Sequence, residues 1–294
     1  MATNSGYSSE DKAVSLWDKI VTLPQYLIPQ HALSLLMYRL TRCEVVWFKN
    51  LITRFIIKQY QVNIAEAAEP DLASYASFNA FFTRTLHEGA RPIADSELVS
   101  PVDGVVSQAG VVTSGQIVQA KGREYSVLAL LGGDDALTAE FVEGQFATIY
   151  LSPKDYHRIH MPVTGTLRKM RYIPGKLFSV SPRTARAVPD LFARNERVAV
   201  TFDTEFGPMV MVLVGAIFVG SMETVWSGQI TPSYGKVIQQ WTYDGEQAIT
   251  IEKGQEMGRF NMGSTVVMLL GKEAALFNDQ IDSDAAIQLG NAMS

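Results

Sequence analysis

The stretch VAVTFDTEFGPMVMVLV, residues 198–214, holds two β-prone runs, Val198 to Phe202 and Val210 to Val214, with Gly207-Pro208 between them. β-Branched and aromatic side chains suit a pleated strand, whereas Gly and Pro interrupt one. The same texture spreads outward from this stretch. Gly104 to Val106, Gly115 to Val118 and Ala147 to Leu151 precede it, and Phe218-Val219 and Thr265 to Leu270 follow it. Short strands punctuated at short intervals predict a β core of sandwich or barrel-like form. No internal repeat, low-complexity tract or long linker interrupts them. The residues after Lys272 read as a short helix and a loose end.

Before Glu69 the texture is helical. Ser8, Ser9 and Glu10 supply a start signal for a helix containing Leu16, Trp17 and Ile20, and Pro24 and Pro29 break it. Leu33, Leu36, Met37 and Leu40 follow the spacing of one helical face, and Val45, Phe48, Ile52, Phe55 and Ile56 repeat it. Arg39, Arg42, Lys49, Arg54 and Lys58 lie among them, against one acid, Glu44. Ser77 to Leu86 reads as a short capped helix with an aromatic face. The expected fold class is α+β: N-terminal amphipathic helices followed by a mainly β, sandwich or barrel-like core. The expected division is a helical region 1–68 and a β-rich domain 69–294. The basic amphipathic segment has two readings. Either its helices pack on the core with a solvated basic face, or they lie in an interface with the apolar side in lipid and the cations at anionic headgroups. Trp17, Tyr38 and Trp47 suit an interface.

With 294 residues, 47% of them hydrophobic, the chain is long enough to bury a substantial core. A net charge of -5 is unlike that of a uniformly basic nucleic-acid binder, so no nucleic-acid partner is expected. One cysteine, Cys43, forbids an intramolecular disulfide. The polar segment Met1 to Lys12 lacks the basic start and apolar stretch of a secretory signal. No apolar run approaches the ~18 residues of a spanning helix.

Two of the four histidines, His157 and His160, lie in the dense polar segment Asp155 to Pro162, directly after the strand-like Ala147 to Leu151. Catalytic groups are commonly held where a loop leaves a rigid sheet. Zinc is one reading of His-x-x-His, but no third and fourth ligand follow at a characteristic spacing, and no metal is expected. Loop histidines satisfied by hydrogen bonds are the other structural reading. Asp103, in Pro101-Val102-Asp103-Gly104, is either a turn residue or a buried carboxylate that orients a histidine. Met262-Gly263-Ser264-Thr265 opens the last strand-like run. It is either a turn or the seat of a nucleophile, and it is not a Gly-x-Ser-x-Gly elbow. A serine after glycine has a further possibility. Its Oγ can attack the Gly263 carbonyl, which no side chain shields. Elimination and hydrolysis then leave a pyruvoyl group, a ketone that serves as an electron sink.

Taken together these segments resemble the bacterial, pyruvoyl-dependent phosphatidylserine decarboxylases. The matching pieces begin with Phe78 to Arg84, Arg91-Pro92-Ile93, Pro101 to Gly104, Gln119 to Gly122 and Tyr150 to Pro162. They continue through Leu191 to Val198, Phe202 to Pro208, Val214 to Ala216 and Glu223 to Trp226, and end with Lys253 to Phe260 and Met262 to Thr265. Met262 stands where the family most often has Leu, a volume-conserving change. Arg123 stands where relatives often have histidine after Lys-Gly, so no catalytic residue is assigned there.

The resemblance implies a precursor that cleaves itself between Gly263 and Ser264 into a large chain, 1–263, and a small chain, 264–294. Asp103 would orient His160, and His160 would take the proton of Ser264. The cofactor would be pyruvate, as a covalent pyruvoyl group derived from Ser264. The substrate serine amine would condense with its ketone, carbon dioxide would leave, and His157 would protonate the carbanion. The implied partners are phosphatidylserine in an anionic membrane surface and the two chains of one precursor as a heterodimer, with room for a higher oligomer. The implied location is peripheral, on the cytoplasmic side of the inner cell membrane, and the interfacial reading of the helices is then preferred. A serine hydrolase with the same triad and a non-catalytic lipid-binding module are the competing functions.

Overall fold

Residues 14–120, 122–218, 221–232 and 235–294 are described by a computed structural model of the chain. The start signal at Ser8 to Glu10, together with Lys121 and Val219, lies outside them. Ser15 caps the first helix instead. Its hydroxyl accepts from the Asp18 amide, and Asp18 reaches back to the Ser15 amide, so two of the donors exposed at a helix start are satisfied. Helices α1 (Leu16–Thr22), α2 (Gln30–Thr41) and α3 (Val46–Tyr60) form this region, and α4 (Phe78–Phe82) follows with Ser77 as its cap.

These first helices meet the rest of the chain through several polar side chains, and through Ile52, Ile56 and Ile57 of α3, which pack against Phe78, Phe81 and Phe82. Asp18, Gln30, Ser34, Lys49 and Thr53 are buried, whereas Trp17, Leu27, Val46, Trp47, Leu51 and Phe55 are exposed. Hydrogen bonds explain the inversion. Arg186 grips Asp18 with two bonds of 3.0 Å, the Leu177 amide donates to Gln30, and the Phe218 amide donates to Ser34 Oγ. Lys49 is turned inward, donating to the carbonyls of Leu72 and Tyr75, so it is not one of the outward cations. The two regions are also joined by backbone, since the Ala68 amide donates to the Thr85 carbonyl at 2.9 Å.

The strands, in chain order, begin with β1 (Gly104–Val111), β2 (Gln116–Ala120) and β3 (Arg123–Ser126), then helices α5 (Val127–Leu130) and α6 (Asp135–Ala139). Next come β4 (Gln145–Tyr150), β5 (Arg158–His160), β6 (Gly165–Ile173), α7 (Pro182–Ala187), α8 (Leu191–Arg194), β7 (Arg197–Thr204) and β8 (Gly207–Val214). The last are β9 (Met222–Thr224), β10 (Gly228–Gln229), β11 (Gln239–Thr242), β12 (Ile249–Ile251), β13 (Glu256–Phe260), β14 (Thr265–Leu270) and β15 (Ala286–Ile287). Nine strands form one antiparallel sheet in the order β11-β6-β7-β8-β14-β4-β1-β15, with β12 also on β6. A four-stranded sheet, β10-β9-β13-β5, packs on one face, and the β2-β3 hairpin and α5 to α8 cover the other. The α+β class and the sandwich hold, and the large sheet is not closed into a barrel.

Burial on both faces explains why the central strands read as continuous apolar runs. In β14, Val266, Met268 and Leu270 enter the core beneath the small sheet, while Val267 and Leu269 enter the core beneath the helices. Two expectations are corrected. Phe218 is not in a strand: its φ of +67° is left-handed, a conformation no extended strand contains. The tail after Lys272 is neither a helix nor loose. Ala286–Ile287 pairs with β1, Met293 is fully buried, and the Met293 amide donates to the Leu98 carbonyl.

Candidate active site

The site forms at the end of the large sheet where β14 begins and β4 ends. The register pairs Thr265 with Tyr150 on one side and Val214 on the other, and the Leu151 amide donates to the Ser264 carbonyl at 2.9 Å. Ser264 is therefore held by sheet hydrogen bonds although it precedes the strand. Its side chain is fully buried, and its Oγ has no hydrogen-bond partner. Buried hydroxyls are nearly always paired, so an orphan marks a place to look for function.

After Leu151 the chain turns. Asp155 accepts from both the amide and the hydroxyl of Ser152, at 2.7 Å each, and this closes the loop that delivers β5. Side chains along a strand alternate, so histidines three residues apart face opposite sides. His157 is fully buried and stacks on Phe82, with ring centroids 4.1 Å apart. Its Nε2 lies 3.1 Å from the Ser152 carbonyl. A carbonyl only accepts, so in the neutral ring Nε2 carries the hydrogen and Nδ1 is left as a bare base. Nδ1 is buried without a partner. Burial, reinforced by the Arg84 charge and opposed by the Ser152 bond, pushes the imidazolium pKa down to about 3, so the ring is neutral at pH 7. A Cβ on residue 263 would come within 3.4 Å of His157 Cε1 and 3.3 Å of the Leu151 carbonyl oxygen. The imidazole edge thus lies at van der Waals distance from the expected cleavage point, and the Leu151 carbonyl is the one neighbour that a side chain at 263 would crowd.

His160 faces the other way and is partly exposed. Its Nδ1 donates to the Gly254 carbonyl at 2.7 Å, and Nε2 accepts from the Tyr156 hydroxyl at 3.2 Å. Burial lowers its pKa, and the Gly254 bond opposes that. The His160 amide donates to the Pro101 carbonyl, which brings the histidine beside the segment carrying Asp103. Asp103 is buried, as the second reading of its motif requires. Its carboxylate is bonded to Arg91, at 2.6 to 3.1 Å, and to the Leu289 amide at 2.8 Å, rather than to His160. Arg91 also donates to Glu66 at 2.8 Å, which holds the Glu66 carboxyl below its usual range.

The structure thus brings His157 to Gly263 and Asp103 to the backbone neighbourhood of His160, while Ser264 Oγ is bonded to neither histidine. Among the described residues no three of His, Cys, Asp and Glu are grouped to hold a metal ion. Sequence reasoning missed Arg91, Tyr156, Phe82 and the Leu289 amide. Arg91, Phe82 and Tyr156 lay in segments that carry the resemblance but were given no role, and the Leu289 amide carried no signal.

The family model described as phosphatidylserine decarboxylase matches residues 78–293, and a second, described as PSD, matches residues 20–61. The chain is 54% identical to the phosphatidylserine decarboxylase proenzyme of Dechloromonas aromatica over 94% of its own length and 98% of that relative. It is 55% identical to the proenzyme of Marinobacter nauticus, covering 94% and 97% of the two chains. With the proenzyme of Shewanella loihica it shares 52% identity over 94% and 99%.

Proposed function

The chain belongs to the phosphatidylserine decarboxylase family, and we propose that it cuts itself between Gly263 and Ser264 and then converts phosphatidylserine to phosphatidylethanolamine and carbon dioxide. The observation that carries the reading is the Ser264 hydroxyl, buried without a partner and following a glycine that lies against a neutral imidazole. The unpaired Oγ also fits a pyruvoyl group made from Ser264, since Oγ departs with Gly263, Cβ becomes a methyl and the ketone forms at Cα, so no hydrogen bond of the hydroxyl is lost. Such a group supplies a ketone that takes up the substrate amine and draws off the electrons left as carbon dioxide departs.

The chain's own residues then divide the proton traffic. His160 takes the proton of Ser264 Oγ during maturation, for which its Nε2 must leave Tyr156 and, for Asp103 to orient it, its Nδ1 must exchange the Gly254 carbonyl for that carboxylate. His157, neutral in the precursor, returns a proton to the substrate carbon in turnover after its Nδ1 takes one from the substrate ammonium as that amine condenses. The bare Nδ1 beside Gly263 favours a second reading, in which His157 is the base for cleavage. Intact mass and release of labelled carbon dioxide from phosphatidylserine separate the two. Under the first, His160→Ala remains one chain, while His157→Ala is cut but turns over at least about a hundredfold more slowly, as for loss of a general acid. Under the second, His157→Ala remains one chain.

The region 1–68 is proposed to dock the enzyme on an anionic membrane surface, peripherally and on the cytoplasmic side of the inner membrane. The outward apolar residues support this. Leu27, before α2, is 85% exposed, and Trp47 and Phe55 of α3 are 69% and 62% exposed, with Arg54 and Lys58 exposed on α3 and Arg39 on α2. Among the described residues no helix is long and apolar enough to cross a membrane. In this reading the mature enzyme is a heterodimer of chains 1–263 and 264–294.

A further inference from the structure

Arg84 is only 4% exposed, yet its Nε and Nη1 have no hydrogen-bond partner. The remaining nitrogen, Nη2, makes one long contact of 3.4 Å to the Lys154 carbonyl. The guanidinium sits 5.2 Å from the centre of the Phe81 ring, which compensates its face but not its in-plane donors. Arginine does not shed its proton, so a buried, unpaired guanidinium calls for an anion. Glu66 and Asp103 act on it through space, but their oxygens are bonded to Arg91.

Arg84 follows α4, and α4 lies on the cleavage segment. Asn79 donates to the Asn261 carbonyl at 2.9 Å, Met262 packs against Phe78, Phe81 and Phe82, and His157 is stacked between Phe82 and Gly263. The free Nε and Nη1 are themselves buried, although Arg84 also lines an open cavity with Arg91, Asp103 and Lys154. Self-cleavage makes an anion inside. Ser264 Oγ bonds to the Gly263 carbonyl carbon as the Gly263–Ser264 peptide bond breaks, and the proton of Oγ ends on the freed Ser264 nitrogen. Loss of the Ser264 α-proton then breaks the Cβ–Oγ bond. The electron pair leaves with the oxygen, and residue 263 ends in a carboxylate.

We infer that Arg84 is the anion site of the mature enzyme and that its ligand is the Gly263 carboxylate created by cleavage. The inference rests on the self-cleavage reading. Nε–H is free, and with Nη2, once that nitrogen gives up its long 3.4 Å contact to the Lys154 carbonyl, it presents the fork that matches a carboxylate's two oxygens; such charge-assisted pairs are the stronger hydrogen bonds. Pairing satisfies a guanidinium that the precursor leaves orphaned, so it favours the cleaved state and keeps the new chain end in place.

The test compares the Arg84 Nε–H resonance in [15N]arginine-labelled wild-type protein and in Ser264→Ala, with Arg84→Lys to assign it. Intact mass comes first. If wild-type protein stays one chain, the self-cleavage reading itself fails. If wild-type protein is cut, the resonance is expected to move downfield relative to Ser264→Ala. In [1-13C]glycine-labelled protein the new Gly263 carboxylate is expected to differ in shift between wild type and Arg84→Lys. Cut protein with an unmoved Nε–H resonance overturns the inference alone. A shift produced in uncut Ser264→Ala by dihexanoyl phosphatidylserine also overturns it, because the donors would then serve a ligand from outside.

Discussion

At the scale of single residues, two buried groups tie protonation to stability with opposite signs. His157 has a folded pKa of about 3 against about 6.5 unfolded. Its contribution is therefore complete above pH ~6.5 and is lost as pH falls from there toward 3, because only the unfolded chain takes the proton. Glu196 is fully buried, with Tyr172 Oη 2.8 Å from its Oε2, and burial pushes its carboxyl up to about 7. Its contribution is complete below the unfolded value near 4.5 and is lost as pH rises through 7. Thermal melting between pH 4 and 8, in the uncut Ser264→Ala background, checks both. His157→Asn should flatten the fall in melting temperature below pH 6.5, and Glu196→Gln should remove the fall toward pH 7 and above. Neither titration was legible in the sequence, because burial and not residue type sets it. Asp103, His160, His157 and Ser264 stood out as residue types at strand ends. The orphaned Arg84 did not, since an unsatisfied donor is a fact of packing.

The helices and strands give a second kind of prediction. α2 and α3 bury Gln30, Ser34, Lys49 and Thr53, α3 also packs Ile52, Ile56 and Ile57 inward, and Leu51 and Phe55 point outward, so a change at the last two touches little of the fold. Leu51→Glu with Phe55→Glu should lower binding to anionic vesicles at least about tenfold, since burying each such side chain stabilises by roughly 1.5–3 kcal/mol. Circular dichroism and melting temperature should stay near wild type; a collapse of the fold would contradict the outward placement. Strand legibility followed burial as well. β4, β7, β8 and β14 are apolar on both faces and were visible. β6 carries Arg168, Lys169 and Arg171, two of them in ion pairs with Asp134 and one with Glu140 and Asp203, and its charges hid it. The two- and three-residue strands β9, β10 and β15 are too short to leave a period. The inverted helices kept their amphipathic spacing in the sequence, but spacing alone does not say which face points inward.

The whole molecule explains how a chain can be cut beside a central strand and stay folded. β14 starts one residue after the proposed cleavage point and runs between β4 and β8 with every residue buried. The small chain also supplies β15 to β1 and the Leu289 amide to Asp103, so it is part of the core and part of the site. The two chains should co-elute on size exclusion and separate only in denaturant. Met268→Ala, in the middle of β14, should destabilise the protein by roughly 2–5 kcal/mol in denaturant unfolding, as for other buried large-to-small changes. The central claim is that Ser264 is first a nucleophile against its own backbone and then the electron sink. Its most direct measurement is the intact mass of active protein together with the chemistry at position 264. The account predicts two chains, 1–263 and 264–294, with a ketone that sodium borohydride reduces at the start of the second. Active protein present only as one uncut chain of 32.4 kDa would contradict it.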